Sequence, residues 1–128
     1  MIELILTETL PSIWVAAVSS YTLHSLAITY LLWLFYLAVM NLKRAKDNGT
    51  LNPVALVLGY PFLIIGLILD LLVNVFVMTF LFLELPRETL VTARLKRLIK
   101  EGGWRGKLAY LFCHYLLDTF DPSGSHCK

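Results

Sequence analysis

No Lys or Arg precedes Lys43, and no Asp, Glu, Lys or Arg occurs from Leu10 through Leu42. Charge is sparse throughout: charged residues make up 16% of the 128 residues and hydrophobic ones 58%, against about 25% and about 45–50% in an ordinary soluble domain. A chain this short has too much surface for its volume to hide so many apolar side chains from water, which excludes an ordinary soluble globular fold. The N-terminus carries Glu3 and Glu8 but no basic residue, so it lacks the positive flank of a cleavable signal peptide, and the first apolar run is expected to be retained. Enzyme signatures are missing too. There is no P-loop, Gly-x-Ser-x-Gly, His-Glu-x-x-His or glycine-rich dinucleotide fingerprint, so the expectation is a non-enzymatic chain without a cofactor.

What the sequence does have is two long apolar runs, Leu10 to Leu42 and Asn52 to Leu83, the second interrupted only by Asp70 and softened by Asn74. A bilayer core needs about 20 such residues in a helix. The fold class expected is an all-α integral membrane protein, a two-helix transmembrane hairpin followed by one or two amphipathic interfacial helices. Its segments are an N-terminal interfacial stretch over 1–10, a first membrane helix over 11–46 with Pro11 at its first position, and a turn over 47–52. A second membrane helix follows over 53–85, then basic interfacial helices over 86–117 and a tail over 118–128. Pro61, with Gly59 and Gly66, marks 59–66 as a place for a kink or a re-entrant hinge. The basic residues number three in the loop and eight after Leu83. The positive-inside bias then favours both termini cytoplasmic and the loop outside, and the re-entrant hairpin is the rival.

Helices in lipid associate through small and polar residues. At helical spacing these are Ser20, His24, Ala27 and Ala38 on the first helix and Gly59, Gly66, Asp70 and Asn74 on the second. A turn centred near Asn48 would bring Ala38 to Gly59, Leu31 to Gly66, and His24 within about a turn of Asp70. A His24–Asp70 contact with Asn74 as third member is the sharpest expectation, because an ionisable residue inside a membrane segment reads by default as a functional candidate. Packing within a hairpin or homo-oligomer is the simpler role for it, and an oligomeric pore the other.

After Pro86 the pattern turns amphipathic. Leu90, Val91, Leu95, Leu98 and Ile99 fall on one side of a helix, while Arg87, Arg94, Lys96, Arg97 and Lys100, followed by Arg105 and Lys107, supply a basic surface for anionic lipid or a membrane-protein partner. Nucleic acid is disfavoured as partner, since a helix committed to the membrane has restricted reach. Cys113-His114 and His126-Cys127 contain the atoms of a zinc site but not the usual ligand spacing. Two unlinked thiols and no metal are the preferred reading, ahead of a disulfide.

The ending Leu116-Leu117-Asp118-Thr119-Phe120-Asp121-Pro122-Ser123-Gly124-Ser125-His126-Cys127 resembles the close of small uncharacterised inner-membrane proteins encoded by tailed phages and prophages, which often finish in Phe-Asp-Pro-x-Gly-x-His-Cys. That resemblance spans about a dozen residues and implies a bacterial inner-membrane setting and a phage-related role. The residues themselves read as an adaptor or effector that self-associates and binds or inhibits another membrane component. The alternatives are a holin-like pore or an accessory subunit of a larger membrane complex.

Overall fold

A computed structural model describes all 128 residues, and helix is its only regular secondary structure. Helix α1 runs Ile2–Asp47 and α2 Pro53–Leu72; a π-helical turn, Val73–Val77, joins α2 to the short α3, Met78–Phe82. Helix α4 spans Val91–Glu101 and α5 Gly103–Phe112, prolonged by a second π-helical segment, Cys113–Asp118. Two stretches, Ile2–Asp47 and Pro53–Phe82, are long and apolar enough to cross a membrane.

The turn between them forms as its residues dictate. Gly49 takes φ +70°, a left-handed conformation that suits glycine after a helix end. The Asn52 side chain accepts from the Ala55 amide at 2.8 Å, capping a helix whose first residue is Pro53. At the other end α3 stops at Leu83, in the left-handed region at φ 52°, with the Glu84 amide donating back to Thr79 O. The Arg105 guanidinium donates to Phe82 O and Leu83 O and so satisfies carbonyls that the helix end leaves without partners.

Several boundaries differ from expectation. The first helix begins at Ile2, not at Pro11, so there is no separate segment over 1–10. Pro11 lies inside it, where it costs one backbone bond, and the hydroxyls of Thr7, Thr9 and Ser12 bond carbonyls of neighbouring turns. The second helix passes Pro61 without a break and ends at Phe82, and its irregular turn sits at Val73–Val77. A re-entrant hinge at 59–66 is therefore not formed. Residues 83–90 are connection, and helix resumes only at Val91.

The hairpin packs antiparallel, one turn out of the expected register. Gly59 faces Leu42 and Gly66 faces Phe35, so the pairing is centred between Thr50 and Leu51. Neither Ala38–Gly59 nor Leu31–Gly66 is the facing pair. Helices α4 and α5 do not lie apart in an interface. They form a tight antiparallel pair, the position of a Cβ on Gly106 being 2.7 Å from Leu98 O, and fold back onto the hairpin around Val73, Met78, Phe82, Leu95, Leu98 and Ala109.

Candidate functional site

Arg94 follows Val91 by three residues and precedes Leu98 by four, so helical geometry puts it on the apolar face of α4. It is fully buried. Its Nη1 donates to Asn74 O at 2.9 Å and approaches Asn74 Oδ1 and Thr79 Oγ1, while Nη2 donates to Glu84 O. The Asn74 amide donates to Glu88 O, and Asp70 Oδ1 accepts from the Val91 amide at 2.9 Å, closing the first turn of α4 from outside it. Arg97 sits beneath this junction among Glu84, Glu88 and Glu101. Its hydrogen bond to Glu84 holds that carboxyl below its ordinary range, and the bond it donates to Glu88, followed by those it donates to Glu84 and Glu101, keeps the Arg97 guanidinium firmly charged.

This geometry corrects the expected polar cluster. In the observed register Asp70 faces Leu31, seven residues from His24 and about 10 Å along the axis. His24 is exposed and its Nδ1 lies 2.7 Å from Ser20 O and 3.4 Å from Ser20 Oγ. Asp70 and Asn74 instead bind the start of α4 and the connection before it. Ala27 is exposed and Ala38 half-buried. The expected basic surface shrinks as well. Arg94, Arg97 and Arg105 are spent on internal acceptors, whereas Arg87, Lys100 and Lys107 stay exposed and Lys96 is half-buried.

The tail builds a second polar cluster. Cys113 and Cys127 are joined by a disulfide across 14 residues, so they are neither free thiols nor available to zinc, and His114 stacks on Tyr110 instead. The bridge brings residues 121–127 back against α1 and α4. Asp121, nearly buried, accepts from Lys43 Nζ at 3.1 Å and from the amide and hydroxyl of Ser123, and pairs with His126 Nδ1 at 2.7 Å. Burial alone would raise its carboxyl; the bonds from Ser123, His126 and Lys43 outweigh that and hold it well below the usual carboxylate range. His126 Nε2 lies 3.1 Å from Thr92 Oγ1, and its ring meets Tyr36 edge-on. Trp33 and Tyr36 on α1 donate to Leu116 O and Leu117 O near the end of the π-helical segment, where Leu117 O also accepts from the amides of Phe120 and Asp121.

The Lys43–Asp121 pair places the tail at the loop end of the hairpin, while Met1 lies at the far end of α1, so the two termini are not together. Two adjoining cavities, about 120 and 310 Å3, occupy the seam of α1, α2 and α4; both are lined by Leu32, Tyr36, Asp70 and Thr92. Sequence reasoning took Tyr36 for a packing residue, Lys43 for part of the basic loop and Asp121 for a turn residue, and passed over Thr92. The available signal was the Asp121-Pro122-Ser123-Gly124 turn, which reverses the chain and returns His126 to Asp121. No protein-family model matches this chain, and no curated protein or solved structure is significantly similar to it.

Proposed function

We propose that this protein is a small membrane adaptor or effector: its hairpin inserts in a bacterial inner membrane, and its compact α4–α5 unit presents Lys96, Lys100, Lys107 and Arg87 to anionic lipid and to another membrane component that it binds or inhibits. The observation that carries the reading is how little the chain covers its own apolar surface. Only 14 of 128 residues are buried, while Ile13, Trp14 and Val15 on α1 and Val54, Val57 and Leu58 on α2 are each more than 60% exposed. Such a surface needs lipid or a partner helix around it. A pore is less well supported, because His24, Asp70 and Asn74 each bond within the chain and share no lumen.

The disulfide favours an oxidising compartment for the tail. Since the loop lies beside the tail, we place both outside and the N-terminus in the cytoplasm, in place of two cytoplasmic termini. The resemblance of the ending to phage-encoded proteins would fit an effector that acts on a host envelope component.

The test is expression of full-length protein with a photo-crosslinking residue at position 100, alongside a measurement of membrane potential. The adaptor reading expects carbonate-resistant membrane association, one reproducible cross-linked product reduced by Lys96→Glu with Lys107→Glu, and no depolarisation. Rapid depolarisation abolished by Asp70→Leu would overturn it in favour of the pore.

A further inference from the structure

We propose that Thr92, His126 and Asp121 form a hydroxyl nucleophile, general base and positioning carboxylate that accept an acyl group from a fatty-acyl ester held in the cavity between α1, α2 and α4. The geometry is a continuous relay. Asp121 Oδ2 stands 2.7 Å from His126 Nδ1, and His126 Nε2 stands 3.1 Å from Thr92 Oγ1. A nucleophile within hydrogen-bond reach of a base that a third group orients is the arrangement by which unrelated folds activate a hydroxyl. With Nδ1–H donating to the carboxylate, Nε2 carries the lone pair and accepts from the Thr92 hydroxyl, which is the tautomer a general base requires.

Each part is held in place. Asp121 keeps its charge through Lys43 and Ser123, and the Cys113–Cys127 bridge fixes the residue next to His126. Thr92 is the second residue of α4, so its own amide and that of Ala93 precede any intrahelical acceptor, and no carbonyl in the chain receives them. These two N–H groups, at the positive end of the helix, are placed to receive an oxyanion developing beside Thr92. The 310 Å3 cavity contains both Thr92 and His126, and Leu32, Phe35, Val39, Leu63 and Leu67 give it walls suited to an acyl chain. Lys96, one turn beyond Thr92 on the same helix face, lines this cavity and suits an anionic headgroup.

The step balances without oxidation or reduction. A lone pair of Thr92 Oγ forms the new C–O bond to the ester carbonyl, and the hydroxyl proton passes to His126 Nε2. The ester C–O bond breaks and the leaving alcohol takes that proton. Water, giving a proton to His126, then attacks the acyl-Thr92 ester; the carboxylic acid departs and Thr92 regains its hydrogen. None of the linear enzyme signatures reveals this, because the three residues come from two separate elements.

The experiment uses full-length, disulfide-bonded protein in detergent micelles with two probes: a long-chain alkyl fluorophosphonate and p-nitrophenyl esters of increasing acyl length. Wild type is expected to be labelled on Thr92, identified by peptide mass spectrometry, and to favour longer esters. Thr92→Val and His126→Gln should each lower hydrolysis at least about 100-fold, while Thr92→Ser retains or raises it because the hydroxyl becomes primary. Alkylation of free thiols reports whether each variant keeps its bridge. Hydrolysis no faster than empty micelles, a label on any residue other than Thr92, or unchanged rates in a bridged Thr92→Val protein would overturn the proposal.

Discussion

Replacing Arg94 by Met keeps most of the side-chain volume and removes every donor. Asn74 O then loses a charged partner in a fully buried site and Glu84 O loses one in a partly buried site, at roughly 1–3 kcal/mol for each stranded carbonyl. Two features reduce the total. Arg94 Nε is itself buried without a partner, and Met does not carry the cost of holding a guanidinium away from water. The expected net loss is about 2–4 kcal/mol, from the interactions of one residue. Reversible denaturation of the purified protein in mild detergent measures it directly. Hydrogen exchange gives a second readout, since the α4 amides should lose about 30- to 1,000-fold in protection. Arg87→Met, at a largely exposed side chain, serves as the control and should leave both readouts where they were. A loss below about 1 kcal/mol would mean that Arg94 does not tie α4 to the hairpin and that the carbonyls find other donors.

Three further outcomes follow from packing, the bridge and charge. Gly66→Ala should stabilise the hairpin by roughly 0.5–1 kcal/mol in denaturant titration, because the new Cβ meets Phe35 at an ordinary 3.7 Å; Gly106→Ala should cost about 1–3 kcal/mol, because its Cβ would meet backbone Leu98 O at 2.7 Å. Cys113→Ser removes a bridge closing 14 residues, worth roughly 3 kcal/mol to tail docking, and limited proteolysis should then clip the chain after Asp118 while α1 and α2 stay intact. The depressed Asp121 carboxyl stabilises the docked tail fully above its unfolded value of about 4 and progressively less as pH falls below that. Trp33, which bonds Leu116 O and meets Phe120 edge-on, is the reporter: its fluorescence in a Trp14→Phe, Trp104→Phe background should show tail release only in acid, and release as pH rises would contradict the sign.

The hairpin was legible because long uncharged runs, Asn52-Pro53 and Asn48-Gly49 each carry a local cause. Its register was not, since a one-turn slip changes nothing in periodicity and depends on where a short loop centres. That slip moved Asp70 and Asn74 away from His24 and gave them to α4. Arg94 was misassigned by its chemistry: a cation in an amphipathic helix suggests the wet side, yet its spacing from Val91 and Leu98 places it inward, and only the carbonyls opposite explain why it stays there. The tail cluster depends on Lys43 and Asp121, 78 residues apart, and on Thr92 and His126. No local pattern links positions so distant, and the His-Cys ending acquires a physical reason only once the chain has turned back on α1.

Helix α1 is about 69 Å long at 1.5 Å per residue, more than twice the roughly 30 Å thickness of a bilayer's hydrocarbon core, and its first twenty residues are exposed. A straight rod of that length fits only by leaning hard or by leaving its first turns in water, where Ile2, Leu4 and Ile5 are poorly suited. The chain has an elbow available. Pro11 has already surrendered one rung of the helix ladder, and the hydroxyls of Thr7, Thr9 and Ser12 can shield backbone oxygens on either side of it. Bending is cheapest there, so under the proposed insertion the leading ten residues are the part of this one continuous helix that can lean away from the rest at the cost of no further backbone bond.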